Sequence, residues 1–243
     1  MTDSLSFAIA GVAGRMGRQL SAVIIDEGHV ISGGTEASGS PSIDRDIGEL
    51  AGRKPLGLSP MTDPVQAAAT ASVWMDFTAP TATLAALEAL KHTAVRAVII
   101  GTTGFAEADM AEIEKAAESV AIVKAGNFSL GVTLLAELTR QAAARLGPDW
   151  DIEISETHHR RKVDAPSGTA LALGDAAASG RGSPLSALRA APYDGAEAKR
   201  QPGEIGFSVR RAGGVVGDHD VTFASERELL SLSHKAIDRS VFA

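Results

Sequence analysis

The first half of the chain alternates short β-rich runs with longer amphipathic or Ala-rich runs. SFAIA (6–10), HVISGGTE (29–36), SVWMDF (72–77), RAVIIG (96–101) and VAIVKAG (120–126) read as buried strands. Between them GRQLSAVIIDEG (17–28), TATLAALEALKH (81–92) and AEADMAEIEKAAES (106–119) read as helices. Pro80 suits a first helical turn, where its missing N–H would be unpaired anyway. Strands that alternate with helices imply parallel pairing with helices on both faces. Right-handed crossovers then make a Rossmann-like doubly wound α/β sheet the expected architecture of residues 1–126. The Gly-, Pro- and Ser-bearing segment 38–60 reads as a long loop.

After residue 127 the pattern changes. GVTLLAELTRQAAARLG (131–147) reads as one long helix, DIEISET (151–157) alternates like a half-buried strand, and SGTALALGDAAA (167–178) returns to a helix. Residues 180–203 read as a mobile loop. GFSVRR, VVGDHDVTFAS and ELLSLSH read as strands, the first two joined in a hairpin through Ala212, Gly213 and Gly214. The second half is therefore expected to be an α+β domain with a mostly antiparallel sheet.

Composition narrows the chemistry. The chain has 243 residues, 44% of them hydrophobic, and a formal net charge of −7. That acidity and the low aromatic content argue against nucleic acid as a partner. No cysteine is present, so disulfides and thiolate chemistry are excluded. No close-spaced metal motif is found, and no metal is expected. No run approaches the ~18 apolar residues of a membrane span. The expected compartment is the cytoplasm.

Two segments carry chemistry. SFAIA runs straight into GVAGRMG, with glycines at 11, 14 and 17 ahead of a helix. Such a turn brings a dinucleotide diphosphate onto main-chain N–H groups at a helix start. Glu36 closes the second strand about 20 residues on, where a carboxylate accepts the adenosine ribose hydroxyls. Ala37, Ser38 and Gly39 follow it, so no adjacent cation awaits a 2′-phosphate. NADH is expected over NADPH, with Arg53 or Lys54 as cations that the fold could bring closer. GTTGF (101–105) and AGNFS (125–129) end the fourth and fifth strands. They suit either a nicotinamide amide or ordinary strand-to-helix turns.

The second segment is ETHHRRKVDAPSGTA (156–170). Five consecutive cationic or protonatable side chains, His158 to Lys162, precede a helix start capped by Asp164 or Ser167. A small dianion could be held by helix-end N–H groups and by Lys or His, with a His delivering a proton. A solvated basic patch is the plainer alternative. The crowding of Arg160, Arg161 and Lys162 about His158 leads to the expectation that His158 is neutral until a dianion binds.

GVAGRMG, Glu36, DFTAP (76–80), GTTGF, AGNFSLGV (125–132) and above all ETHHRRKVDAPSGTA resemble, in order from residue 6 to about 242, the 4-hydroxy-tetrahydrodipicolinate reductase family, also called dihydrodipicolinate reductase. The resemblance implies reduction of a cyclic imine-type dicarboxylate by NADH or NADPH in the diaminopimelate route to lysine, and a homotetramer. It implies that Gly11, Val12, Ala13, Gly14, Arg15 and Met16 line the diphosphate turn and that Glu36 holds the ribose. It places Gly101, Thr102, Thr103, Ala125, Gly126, Asn127 and Phe128 on the nicotinamide side. His158 takes the acid/base role and Lys162 the proton-donor role, while His159, Gly168 and Thr169 bind substrate. Residues 127–239 become the substrate-binding and oligomerisation domain. Residues 240–243 begin a return segment to the first domain, expected to be truncated at Ala243. Two other readings compete: a related amino-acid or aldehyde dehydrogenase, and a non-catalytic dinucleotide sensor. Neither accounts for the pairing of HHRRK with SGTA.

Overall fold

The computed structural model describes residues 5–194 and 198–243. The chain divides into two compact units, Met1–Gly126 with Phe242–Ala243, and Asn127–Val241.

The first unit contains β1 (Ser6–Ala10), α1 (Arg15–Asp26), β2 (Val30–Thr35), α2 (Ile47–Leu50), α3 (Pro64–Ala67), β3 (Val73–Asp76), α4 (Pro80–Leu90), β4 (Ala97–Ile100), α5 (Glu107–Ala116) and β5 (Ala121–Lys124). All five strands run parallel in the order β2-β1-β3-β4-β5. The period of two along each strand separates two cores. Ala8, Ala10, Trp74, Val98 and Ile100 meet α4 and α5 on one face. Phe7, Ile9, Val73 and Met75 meet Leu20, Ile24 and Ile47 on the other. The chain crosses from one side of β1 to the other after β2, which makes the β1/β3 carboxyl ends the switch point where ligands bind in open sheets.

The 38–60 segment is not wholly irregular, because it contains the single turn α2. Asp46 caps that turn by accepting the Glu49 N–H, and its carboxylate also accepts the N–H groups of Leu56 and Gly57. One partly exposed acid thus ties the segment together through main-chain N–H groups.

The second unit contains α6 (Leu130–Arg145), β6 (Asp151–His158), α7 (Gly168–Gly180), α8 (Leu185–Leu188), β7 (Ile205–Arg211), β8 (Gly217–Ala224) and β9 (Leu229–Ala236). Its sheet has the order β7-β6-β8-β9. β6 pairs parallel with β7, while β6–β8 and β8–β9 are antiparallel. The expected hairpin between GFSVRR and the next strand does not form. β6 lies between β7 and β8, and the connection passes over its end, where Ala212 N–H donates to the His158 carbonyl and Arg160 N–H to that of Gly213. The glycines serve this cap rather than a two-residue turn; Gly213 takes φ +46. The 180–203 segment is likewise not one loop, since it includes α8 and a bridge from Arg189 to Ile205. Residues 195–197 of that segment lie outside the described residues.

Leu135, Ala143, Ala170, Leu173 and Ala177 of α6 and α7 pack on Ile152, Ile154, Ile205, Val221 and Phe223 of the sheet. Continuing the period of two along β6 beyond Ile152 and Ile154 puts Glu156 and His158 on the same covered face. The pairing register adds His219 and His234 beside Glu156, and Arg211 beside His158. An apolar stripe therefore turns titratable toward one end of the sheet. Among the described residues no helix is long and apolar enough to cross a membrane.

Candidate active site

In the first unit, β1 leads through Gly11–Gly14 into α1. Gly11 has φ +62, which favours glycine. A Cβ on Gly17 would lie 2.3 Å from the Gly11 carbonyl oxygen, so helix and strand approach this closely only without a side chain. Gly14 is the N-cap and offers no side-chain acceptor, leaving the first-turn N–H groups for an anion. Val12 is fully buried and belongs to the core, while Arg15 is exposed. Glu36 reaches back to this turn, its Oε1 accepting the Ala13 N–H at 2.8 Å. A cavity of ≈ 430 Å³ opens here, lined among others by Gly11, Glu36, Trp74, Asp76 and Thr78. These features fit a dinucleotide.

Gly101, Thr102 and Thr103 follow β4. Gly101 has no room for a Cβ, which would fall 2.0 Å from the Phe77 ring. Thr102 is buried and its hydroxyl is committed within the unit: it accepts the Thr78 N–H at 2.9 Å and donates to Oδ1 of Asp76 at 3.2 Å. The sequence reading gave Asp76 no role. Its Oδ1 also accepts the hydroxyls of Thr78 and Thr83, at the carboxyl end of β3 beside the glycine turn. Ala125 and Gly126 follow β5. Asn127 and Phe128 belong to the second unit. The Asn127 amide is engaged there at both ends, donating to Oγ1 of Thr169 and accepting the Ser129 N–H.

In the second unit the cationic segment divides. His158 and His159 are buried; Arg160 and Arg161 are exposed. A turn closes from the Lys162 N–H to the His159 carbonyl. Lys162 Nζ pairs with Asp164 at 2.9 Å. Burial opposes ionisation of Asp164, but the ammonium outweighs it and holds the carboxyl below its ordinary range. Ser167 caps α7, its Oγ accepting the Ala170 N–H. The choice left open between Asp164 and Ser167 thus falls to Ser167. The Ser167 N–H is spent on Glu156, so Gly168 and Thr169 carry the two first-turn N–H groups without an acceptor among the described residues.

Glu156 is the hub. Its side chain is 1% exposed. Oε1 accepts from the Ser167 N–H at 3.1 Å and from Arg211 Nη1 at 3.2 Å. Oε2 faces Nδ1 of His158 at 3.2 Å and Nε2 of His219 at 3.7 Å. The His158 approach has ion-pair distance without hydrogen-bond alignment. Burial opposes ionisation of Glu156, but His158, the Ser167 N–H and Arg211 outweigh it and hold the carboxyl down to about 2. His219 packs edge-on against the His158 ring, with centroids 5.1 Å apart, and touches Ser167 Oγ at 3.3 Å. Burial, reinforced by His158, pushes His219 down to about 4. Against the His158 ring lies the Glu156 carboxylate, while the two arginines that follow it in sequence are exposed.

Oε2 of Glu156, His158 and His219 have the close spacing of metal ligands, all within 4.8 Å. The Arg211 guanidinium already sits on the same carboxylate, where a second positive charge would meet it at short range. The arrangement suits proton handling: an anchored imidazole, a paired ammonium and an open helix start.

The two halves of the chain match the N-terminal and C-terminal dihydrodipicolinate reductase family models, over residues 5–128 and 131–243. The chain belongs to the dihydrodipicolinate reductase family. Its relatives include the 4-hydroxy-tetrahydrodipicolinate reductases of Parvibaculum lavamentivorans, 50% identical, and Dinoroseobacter shibae, 49% identical. Each match spans 100% of this chain and 90% of the relative. Among solved structures, dipicolinate-bound dihydrodipicolinate reductase from Paenisporosarcina sp. TG-14 superposes with TM-score 0.70 at 23% identity, covering 98% of this chain and 90% of that one. An amine dehydrogenase from Mycobacterium smegmatis superposes with TM-score 0.65 at 15% identity, covering 99% and 89%. Those two likenesses establish the fold, which this family shares with other dehydrogenases.

Glu156, Arg211 and His219 are the residues that sequence reasoning missed. Glu156 was within reach, since it stands two positions before His158 in an alternating strand. Arg211 and His219 were not, because only the sheet register brings them to β6.

Proposed function

We propose that this chain reduces 4-hydroxy-tetrahydrodipicolinate to tetrahydrodipicolinate with NADH or NADPH, a step of the diaminopimelate route to lysine. The observation that carries the reading is the buried His158, anchored next to an α7 start with two open N–H groups, in a chain whose two halves both match the family.

A bound nicotinamide supplies the hydride. The N–H groups of Gly168 and Thr169 take one substrate carboxylate, as a helix start does, and His159 takes part in holding the dianion. Hydride arrival at the ring pushes an electron pair onto a neighbouring atom, which must then be protonated. His158 and Lys162 deliver and replace that proton. Asp164 pairs with the Lys162 ammonium at 2.9 Å. Gly217 lies against the other ring nitrogen of His158: a Cβ there would stand 3.1 Å from Nε2.

NADH is the preferred cofactor in this reading. Glu36, fixed by the Ala13 N–H, meets a ribose 2′-hydroxyl as an acceptor and repels a 2′-phosphate. Arg53 is committed elsewhere, to Asp26 of α1. Arg18 is tied to the same turn through the Ala13 carbonyl at 2.7 Å and softens the repulsion. Discrimination is therefore expected to be about tenfold, not absolute.

The protein is further read as a cytoplasmic homotetramer. Its substrates are metabolites of the cell interior. Leu130, Leu134 and Leu138 form an exposed i, i+4, i+8 stripe on α6, as a face that meets another copy would. Light scattering at micromolar concentration reads the oligomer directly.

The activity test is NADH oxidation with the substrate generated in situ from pyruvate and aspartate semialdehyde. Turnover is expected there and not with simple aldehydes or keto acids. Pyridine-2,6-dicarboxylate should inhibit competitively. NADH oxidation by simple aldehydes alone would select the rival dehydrogenase reading.

A further inference from the structure

Proton delivery by His158 requires one ring nitrogen, in one tautomer, held in one place. Nothing in the cationic segment provides this, since Arg160 and Arg161 are exposed and Lys162 is paired with Asp164. Glu156 is placed to do so. We infer that Glu156 is the positioning residue of the site: its buried carboxylate fixes His158 through Nδ1, and the start of α7 through the Ser167 N–H, as one unit. The inference rests on the acid/base reading of His158 given above.

Three observations carry it. First, the two oxygens of Glu156 are divided between the two halves of the proposed site. Oε2 faces Nδ1 of His158, while Oε1 holds Ser167, the residue immediately before Gly168 and Thr169. Second, an ionised carboxylate is acceptor-only, so it selects the Nδ1–H form of His158 and leaves Nε2 as the nitrogen that exchanges a proton with substrate. Nε2 is the nitrogen on the Gly217 side of the ring. Third, the charged groups around the carboxylate keep it ionised without water. Arg211 Nη1 lies at 3.2 Å, and Nη2 and Nε of the same guanidinium bind the Asp164 and Lys162 carbonyls. Arg211 thus ties the Lys162 turn into the same frame. The loose alignment of Nδ1 on Oε2 is what a ligand-free catalytic contact often shows before substrate tightens it.

Glu156→Gln tests this. The amide oxygen can still accept the Ser167 N–H. Its NH₂, placed against His158, donates to Nδ1 and drives the ring into the Nε2–H tautomer. We expect kcat to fall by about 10²–10⁴, by analogy with an acid-to-amide change that inverts a catalytic imidazole. The NADH dissociation constant should stay within about twofold, because the glycine turn and Glu36 lie in the other unit. In ¹⁵N NMR spectra of the imidazole nitrogens, the protonated nitrogen of His158 should move from Nδ1 to Nε2. Glu156→Asp keeps the charge on a shorter arm and should restore the Nδ1–H form and part of kcat; it also serves if the Gln variant fails to fold. A Gln variant with kcat within about threefold of the parent overturns the inference. So does loss of kcat with the His158 tautomer unchanged, the mark of a merely structural carboxylate. If the parent protein itself lacks reductase activity, the acid/base reading fails, whereas the tautomer shift still reports on what Glu156 does.

Discussion

His219 makes the stability of the second unit depend on pH between neutrality and about pH 4. In the folded chain burial lowers it to about 4, against 6.5 in the unfolded chain. Below pH 6.5 the unfolded chain binds a proton that the folded chain refuses, so acid favours unfolding. The stability is fully present above the unfolded value and is lost as pH falls through the folded one. Evaluated at one site, the loss between pH 7 and pH 5 is about 2 kcal/mol, and it approaches about 3 kcal/mol below both values. Glu156 adds to the acid sensitivity only lower down, between its unfolded value of 4.5 and its folded value of about 2. Glu156 therefore contributes little between pH 7 and pH 5, and comparison with a His219 variant assigns the change. Trp150 packs against the core of this unit and Trp74 lies in the other, so a Trp74→Phe background leaves one fluorescent reporter. In urea the midpoint of Trp150 unfolding should drop by about 1 M from pH 7 to pH 5 in that background. The drop should nearly vanish when His219→Gln is added. If the Gln variant loses as much stability as its parent over the same range, His219 is not buried neutral and the reasoning is wrong.

His158→Gln or Lys162→Ala should lower kcat by about 10²–10⁴ while NADH affinity, followed by fluorescence titration, stays put; equal loss of both would mean a collapsed site. NADH should be used about tenfold better than NADPH in kcat/KM, and Glu36→Gln should narrow that ratio. Gly17→Ala should abolish NADH binding and lower the melting temperature of the first unit, since its Cβ would overlap the Gly11 carbonyl oxygen at 2.3 Å. Gly217→Ala sets a methyl 3.1 Å from His158 Nε2; kcat should fall about tenfold or more with little change in Tm, as read by steady-state kinetics and calorimetry.

The parallel sheet of the first unit was legible because its information is local. Each strand is a short apolar run, each helix carries its own period, and glycines at 11, 14 and 17 mark the one turn that must approach a ligand. The second sheet was less legible. Its strands could be located, but their partners could not, because a glycine pair between two strands suits a cap over a third strand as well as a hairpin. That error hid the site's frame. With β7 and β8 paired to each other through 212–214, Arg211 would sit at the turn and His219 farther along the ladder, away from it. With β6 between them, both converge on Glu156.

The cation cluster that drew attention in the sequence is, in space, two different things. Arg160 and Arg161 turn to solvent, where exposed charges are screened and contribute little. His158, His159 and Lys162 are drawn in, each beside a hydrogen-bonded or charged neighbour. A chain of net negative charge can concentrate cations here because Asp164 pairs with Lys162 and the acid facing His158 is buried two residues upstream. The electrostatic balance of the site is therefore not set by the number of cations in ETHHRRKVDAPSGTA. It is set by which of them lie near Glu156, on a strand whose alternation runs from the hydrophobic core at Ile152 to Glu156 and ends in the buried pair Thr157 and His158.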